Sequence, residues 1–363
     1  MKKRKILYFE PHGNLYGSER SFLNLIRILK NNKDTSIFVI SNKDGKEFNK
    51  ILSSLKVTVF PVFKSNLHLN SRISRVIILL RIYLICLFLR PNIIHLNQIG
   101  GLPYMLYLKR FLYRNVKLVV HNRHQDDILV FTKYINHLHL IDHLISVSKN
   151  EHVKILKIFG VDNTSVLYNP FELKFSKAQG AIKNKFICIS RINEVKNQLL
   201  ILEALSLDLK NARHRVDFFG DSDSLEAVNY LKMLNHFIDE NKLHDVVEFF
   251  GFDYSVNENL KNYKCLILPS VQEAMGRVII EALINGIVPI VLNADTGAKE
   301  IILNMDLSEL LFENNSWALL QKMNDINNMS QIDYNKIVSK AQLWISKNLN
   351  DKEYLKKLEL IYA

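Results

Sequence analysis

The stretch Leu266-Ile267-Leu268-Pro269-Ser270-Val271-Gln272-Glu273-Ala274-Met275-Gly276-Arg277-Val278-Ile279-Ile280-Glu281-Ala282-Leu283 decides how the second half of this chain is read. An apolar run stops at Pro269-Ser270, a short loop follows, and a helix opens near Gly276. Strand, turn and helix in that order are the unit of a parallel sheet covered on both faces. The backbone N–H groups of Met275, Gly276, Arg277 and Val278 fall where a helix cannot pair them internally, a ready anion site. Gly276 has no side chain to block a phosphate or sugar. Glu273 stands before the helix, and Glu281 lies roughly 7 Å further along its axis. Two readings fit that spacing equally: carboxylates binding hydroxyls on either side of a diphosphate, or surface glutamates flanking a packed helix.

The alternation extends in both directions. Strands are predicted at 186–191, 216–220, 246–251, 265–270 and 288–293, with helices at 196–209, 224–241 and 276–286. The first half predicts strands at 5–10, 36–41, 57–62, 92–97, 117–122 and 143–148, with helices at 18–29, 71–90, 103–113 and 149–159. Between the halves a strand ends at Asn169-Pro170, and a polar stretch containing Gly180 follows. The reading is an α/β chain of two doubly wound, Rossmann-like domains, 1–170 and 171–345, with a helical segment 346–363 at the end of a tail that reads as helix from 334. A length of 363 residues agrees with about two domains.

Composition excludes several classes. With 48% hydrophobic and 23% charged residues, the chain is neither disordered nor collagen-like. Its three cysteines, Cys86, Cys188 and Cys265, are far apart inside apolar runs, the pattern of buried thiols. The start Met1-Lys2-Lys3-Arg4-Lys5 is basic, but the apolar run behind it stops at Glu10-Pro11-His12, too short for a secretory signal. Segment 76–89 is too short to span a bilayer and carries Arg81. A cytoplasmic protein, peripheral at the inner face of the membrane at most, is expected.

The net charge of +12 is unevenly divided. Residues 1–150 hold 24 basic and 8 acidic residues, a surplus of 16, and the remainder holds 24 and 28, a deficit of 4. Segment 56–90 has no acidic residue. Phosphorylated ligands, anionic lipid and nucleic acid are the partners such charge attracts. Lys2–Lys5, Arg72, Arg75, Arg81, Arg90, Lys109, Arg110 and Arg114 either dock on anionic lipid or form a scattered solubilising surface. A nucleic-acid binder is disfavoured because no basic–aromatic module is present. A dehydrogenase is disfavoured because no Gly-x-Gly-x-x-Gly follows a strand.

Ligands in such sheets sit at the carboxyl ends of strands. After the strand at 186, Ser190-Arg191-Ile192-Asn193-Glu194-Val195-Lys196 carries two cations that can converge on a diphosphate, or pair with Glu194 and solvent. After the first strand, His12-Gly13-Asn14-Leu15-Tyr16-Gly17-Ser18-Glu19-Arg20 is a glycine-containing turn, with Ser18 a candidate N-cap. Asn97, His121 and His124 follow two further strands, and His95 reads as a structural histidine. His137, His139 and His143 cluster in sequence without a zinc-protease carboxylate motif, so a metal site is discounted.

Taken together these segments resemble the glycosyltransferase family 4 enzymes, retaining transferases of the GT-B fold, strongly over 186–300 and more weakly before 150. The resemblance implies two domains facing across a cleft, with the C-terminal helix returning to the first. It implies that Glu273 contacts the donor sugar and that main-chain donors from Ala274, Met275, Gly276, Arg277 and Val278 contact its hydroxyls and phosphate. Glu281 would hold the ribose hydroxyls, Arg191 and Lys196 the leaving diphosphate, and Gly17 would approach the donor phosphate from the other domain. His121 takes the role of the family's strand-end histidine near the reacting sugar, with His124, Asn14 and Asn97 towards the acceptor. Ala274 and Met275 stand where family members often have glycine and an aromatic residue. Asp221-Ser222-Asp223 lies where the family has a glycine-rich loop, so no metal or other cofactor is expected. Phe249-Phe250-Gly251-Phe252 would border the base. The implied partners are a nucleoside-diphosphate-sugar donor and a glycan or lipid-diphosphate-linked acceptor of bacterial surface polysaccharide, O-antigen, capsule or lipopolysaccharide. A nucleotide-sugar-binding protein without catalysis fits the same residues.

Overall fold

A computed structural model describes residues 3–31, 34–64, 71–124, 127–159, 163–178, 183–208 and 214–363, without the side chains of 158 and 159. Lys2, Gly180 and Leu209, which entered the readings of a basic segment, a linker and a helix end, lie outside the described residues. The chain divides into two compact units, Met1–Glu172 with Leu349–Ala363, and Leu173–Asn348. The first division lies two residues past the expected 170/171, and the second lies past the expected 345/346, where the helix Gln331–Asn348 runs unbroken to its end.

The first unit holds a seven-stranded parallel sheet of β1 (Arg4–Phe9), β2 (Thr35–Asn42), β3 (Thr58–Phe63), β4 (Ile93–Leu96), β5 (Lys117–Asn122), β6 (His143–Ser146) and β7 (Thr164–Val166). Their order is β3-β2-β1-β4-β5-β6-β7. Side chains alternate between faces along β1. Leu7 and Phe9 pack with Ile78, Ile82 and Cys86 of the helix Arg72–Leu89. Ile6 and Tyr8 pack with Phe22, Leu25 and Ile26 of the helix Gly17–Lys30 and with Tyr354, Leu358 and Ile361 of the helix Asp351–Tyr362. Burying each such side chain contributes about 1.5–3 kcal/mol, which is why an uninterrupted apolar strand belongs here.

The second unit holds β8 (Lys185–Ile189), β9 (Arg215–Phe219), β10 (Val247–Phe249), β11 (Cys265–Leu268), β12 (Val288–Leu292) and β13 (Leu311–Phe312) in the parallel order β10-β9-β8-β11-β12-β13. In each sheet the order reverses beside the first strand, between β1 and β4 in one and between β8 and β11 in the other. Loops leaving those strands diverge and open a crevice, which makes these switch points the natural ligand positions.

Several local expectations are corrected. The tail is two helices, because Asn350 accepts the N–H of Glu353 and starts a new one. Segment 103–113 is α-helical only to Tyr107 and continues as a wider π-type turn over Leu108–Leu112. The helix after β8 begins at Gln198, leaving Lys196 on a preceding 3-10 turn. The helix after β1 begins at Gly17 with Tyr16 as N-cap, so Ser18 lies inside it and donates to Glu19 instead. All three cysteines are buried and unbridged.

Candidate functional site

In the second unit, Arg191 follows β8 and the Glu273 loop follows β11, so the two segments flank the switch point. Backbone contacts hold them together. Val271 donates to Val195 O at 2.9 Å, and Gly297 donates to Glu273 O at 2.9 Å. Gly220, at φ +150°, lies so close to the strand end that a Cβ would stand 1.9 Å from Ser190 O. Only glycine permits that approach. Gln198 fixes the same turn, its Nε2 donating to Ser190 Oγ and Arg191 O at 2.9 Å each.

Lys196 is only partly solvated and does not stand alone. Its Nζ donates to Glu273 Oε2 at 2.6 Å and to Gln272 O at 3.3 Å. Arg191 is exposed and makes no ion pair among the described residues, so the alternative pairing with Glu194 is not formed. Gly276 caps the helix Arg277–Ile284 at φ +78°, and a Cβ there would meet Ile279 Cδ1 at 2.9 Å and Ala298 Cβ at 3.1 Å. The bare turn preceding Arg277 is therefore required by both backbone conformation and space. Glu281 is buried, not a surface residue, and accepts from Arg277 Nη2 at 2.9 Å and Nε at 3.2 Å. The Arg277 side chain thus holds Glu281, a contact that spacing alone did not reveal. Ala274, Met275 and Val278 complete this turn, with Met275 buried. Phe219, the last residue of β9, stacks on Phe250, just past β10, at 4.7 Å, and Phe250, Phe252 and Tyr254 present exposed aromatic surface.

In the first unit, the strand ends carry a buried polar network. Glu10 accepts from Gln98 Nε2 at 2.7 Å and from Asn97 Nδ2. Gln98 also donates to Glu19 Oε1 at 3.0 Å. Asn97 accepts from Arg123 Nη2 at 2.7 Å, and Arg123 further donates to Asn97 O at 2.8 Å and to Asn169. Burial first, then the neighbouring Glu19 carboxylate, pushes Glu10 well above the usual carboxylate range. Sequence reading found Asn97 but missed Glu10, Glu19, Gln98 and Arg123. The available signal was a carboxylate, Glu10, ending an otherwise apolar strand.

His121 joins a second chain of contacts. Its Nδ1 lies 2.8 Å from His95 Nε2, His95 Nδ1 lies 2.6 Å from Tyr362 Oη, and Tyr362 Oη lies 2.7 Å from Tyr8 Oη. Burial, and then the Arg123 charge, lowers His95 to about 3 and holds His121 well below the ordinary histidine value. Both rings are therefore neutral at physiological pH. Asn14 and Gly17 are exposed on the turn after β1, where positive φ falls on Leu15 (+61°). His124 is exposed, and its N–H is held by Asp127 at 3.0 Å. His143 meets Ser165 Oγ at 2.9 Å. The expected basic surface is narrower than its sequence: Arg4 pairs with Glu359, Lys109 with Asp142, and Lys5 donates to Leu89 O.

Residues 171–344 match the sequence model of the family described as glycosyl transferases group 1. No curated protein sequence matches the chain. Among solved structures, the chain is similar to HepE (Alr3699) of Anabaena in complex with UDP-glucose, with a TM-score of 0.81 at 20% identity over 98% of this chain and 99% of that one. It is similar to a variant of S. aureus TarM in complex with Fondaparinux, α-GlcNAc-glycerol and UDP, with a TM-score of 0.76 at 14% identity over 100% of both chains. It is also similar to the lipopolysaccharide outer core galactosyltransferase WaaB, apo form, with a TM-score of 0.71 at 17% identity over 98% of both chains. The chain therefore has the two-sheet α/β fold of GT-B glycosyltransferases, and its second unit carries the match to glycosyl transferases group 1.

Proposed function

We propose that this protein transfers a sugar from a nucleoside-diphosphate donor to a glycan or lipid-diphosphate-linked acceptor, with retention of configuration and without a metal, in the assembly of a bacterial surface polysaccharide such as O-antigen, capsule or lipopolysaccharide. The observation that carries this reading is the grouping of Arg191, the Lys196–Glu273 pair and the helix opening at Gly276 around one switch point. Such a grouping offers two cations and a helix N-terminus to a diphosphate. The family match over the second unit supports sugar transfer, and the complexes of HepE with UDP-glucose and of TarM with UDP support a nucleotide donor.

Arg191 and Lys196 stabilise the charge that develops on the departing diphosphate. Glu273 orients the donor sugar, and its position is set by the contact with Lys196. Glu281, aimed by Arg277, holds the ribose hydroxyls. The C1–oxygen bond to the diphosphate breaks while the acceptor oxygen bonds to C1 on the same face, and its proton passes to the leaving phosphate oxygen. His121 contacts the reacting sugar. The basic surplus of the first half suits a place at the inner face of an anionic membrane, where a lipid-linked acceptor would be met.

Thermal unfolding of the wild type and of Arg191→Ala with UDP, GDP, ADP, CMP and their sugar conjugates tests the donor site. A nucleotide at about 100 times its dissociation constant stabilises by roughly 2.7 kcal/mol. One nucleotide stabilising the wild type and not the variant is expected. No response to any of them would sink the reading.

A further inference from the structure

The helix Arg72–Leu89 is apolar on two opposite sides. Ile78, Ile82, Cys86 and Leu89 are buried in the core of the first unit. Ile73, Val76, Ile77, Leu80, Leu84, Leu87 and Phe88 are exposed, Phe88 by 83% and Ile73 by 74%. At about 100° per residue these seven fall within an arc of about 120° facing away from the core. Arg81 borders that arc on one side, and Arg72 and Arg90 on the other. The helix packs beside the turn Leu108–Leu112, which adds exposed Phe111, with Arg110 over its ring at 5.2 Å. No acidic residue occurs from 56 to 90. A water-facing helix has no use for such a stripe. No described helix is long and apolar enough to cross a membrane.

We propose that this stripe docks the protein on an anionic phospholipid surface, the helix lying in the interfacial layer with its apolar row inserted and its flanking arginines on the headgroups. Apolar insertion and basic flanks together are what an interfacial helix requires, and the charge on this face selects anionic lipid over a neutral protein partner. This deepens the membrane placement proposed above but stands on the stripe alone. Co-sedimentation with phosphatidylglycerol vesicles and with phosphatidylcholine vesicles, at low and high salt, tests it. Binding to the anionic vesicles is expected, weakened at least about tenfold in Leu80→Asp/Leu84→Asp and in Arg72→Gln/Arg90→Gln. Nucleotide-induced stabilisation should be unchanged in both variants, which separates a failed docking face from a failed donor site. Wild-type binding indifferent to the apolar substitutions would overturn insertion. So would a wild-type dimer that Leu80→Asp/Leu84→Asp dissociates, because the face would then belong to a second copy of the chain.

A different observation concerns the hydroxyl–histidine chain. The Tyr8 hydroxyl is fully buried, and Tyr362 Oη is its only hydrogen-bond partner among the described residues. If His121 Nδ1 donated to His95, the chain would run towards Tyr8 and leave its O–H proton without an acceptor. Run the other way, Tyr8 donates to Tyr362, Tyr362 to His95 Nδ1, and His95 Nε2–H to His121 Nδ1, so every proton within the chain has a partner and only the terminal His121 Nε2–H is left for a ligand. The geometry points to Tyr8 and Tyr362 as positioning residues that fix His121 with its proton on Nε2, a hydrogen-bond donor to substrate and not a base. Its role in transfer rests on the function proposed above; the tautomer does not. Around the pair stand Arg123, His143, Tyr8 and Tyr362, and Arg123 and His143 add positive charge that disfavours protonation of the pair.

Two-bond ¹⁵N–¹H correlation spectra of ¹⁵N-histidine-labelled protein, assigned with His121→Gln, read the tautomer directly. A neutral ring protonated at Nε2 across mildly acidic to mildly alkaline pH is expected, with mixed tautomers in Tyr362→Phe. A proton on Nδ1, or ordinary histidine titration, would overturn the inference. With a sugar nucleotide, Tyr362→Phe should lower kcat about tenfold with KM for the donor little changed. Unchanged kcat beside the expected tautomer would remove the positioning role, whereas absence of nucleotide binding in the wild type would instead remove the proposed function.

Discussion

At the switch point of the first sheet, Glu10, Glu19, Asn97, Gln98 and Arg123 are buried and bonded to one another. At that of the second, Arg191 is exposed, and the Lys196–Glu273 pair is 14% and 21% exposed. The topology is the same but the electrostatic condition is opposite. Buried charge survives only when fully partnered, so the first switch point is a rigid scaffold whose groups are already spoken for. Partly solvated cations keep their charge at little cost and can take an anion from water, so the second is the one equipped to receive a diphosphate.

The largest effect is expected where that contrast is sharpest. Arg123→Met leaves the Asn97 and Asn169 oxygens without their donor and removes a positive charge beside Glu10, and should cost about 3–5 kcal/mol. Lys196→Met should alter stability by no more than about 1 kcal/mol. Urea unfolding of both variants checks this, and equal losses would break the comparison. Next, Arg191→Ala should lower turnover about 10²–10³-fold, roughly 2.7–4 kcal/mol, with the unfolding curve unchanged. A drop in stability with turnover retained would make Arg191 structural.

A smaller effect depends on pH. Glu10 is raised above 4.5 by folding, so between 4.5 and its raised value the folded unit holds more protons than the unfolded chain. Stability therefore falls as pH rises through that window. His95 is lowered from 6.5 to about 3, so its contribution is lost in the other direction, as pH falls below 6.5. Glu10→Gln should remove the alkaline decline, up to about 1.4 kcal/mol per pH unit, and leave the acid one. Thermal unfolding across pH reads both limbs, and an unchanged alkaline limb would show that Glu10 is ionised in the fold. Smallest, Gly251→Ala should cost about 1 kcal/mol, because φ is +70° there but a Cβ would meet nothing within 4 Å. The same substitution at Gly220 should cost more, since Ser190 O occupies the space.

Strand and helix alternation was legible because the central strands are buried on both faces and read as unbroken apolar runs, as at Ile6-Leu7-Tyr8-Phe9 and Cys265–Leu268. The two residues of β13 carried no periodic signal. Arg191, Lys196, Glu273 and Gly276 were found in sequence because each follows a strand or opens a helix. Their local spacing did not reveal that Lys196 grips Glu273 across 77 positions, or that Arg277 turns back onto Glu281.

The sequence by itself determined the α/β alternation, the basic first half and the strand-end residues, since all three follow from composition and short-range period. Only the tertiary structure decided which groups are charged and which are neutral. Glu10 meets Asn97 and Gln98 nearly ninety positions away, and Tyr362 meets Tyr8 and His95 from the far end of the chain. Protonation depends on burial and on partners brought together across the sheet, and neither quantity exists until the strands have assembled.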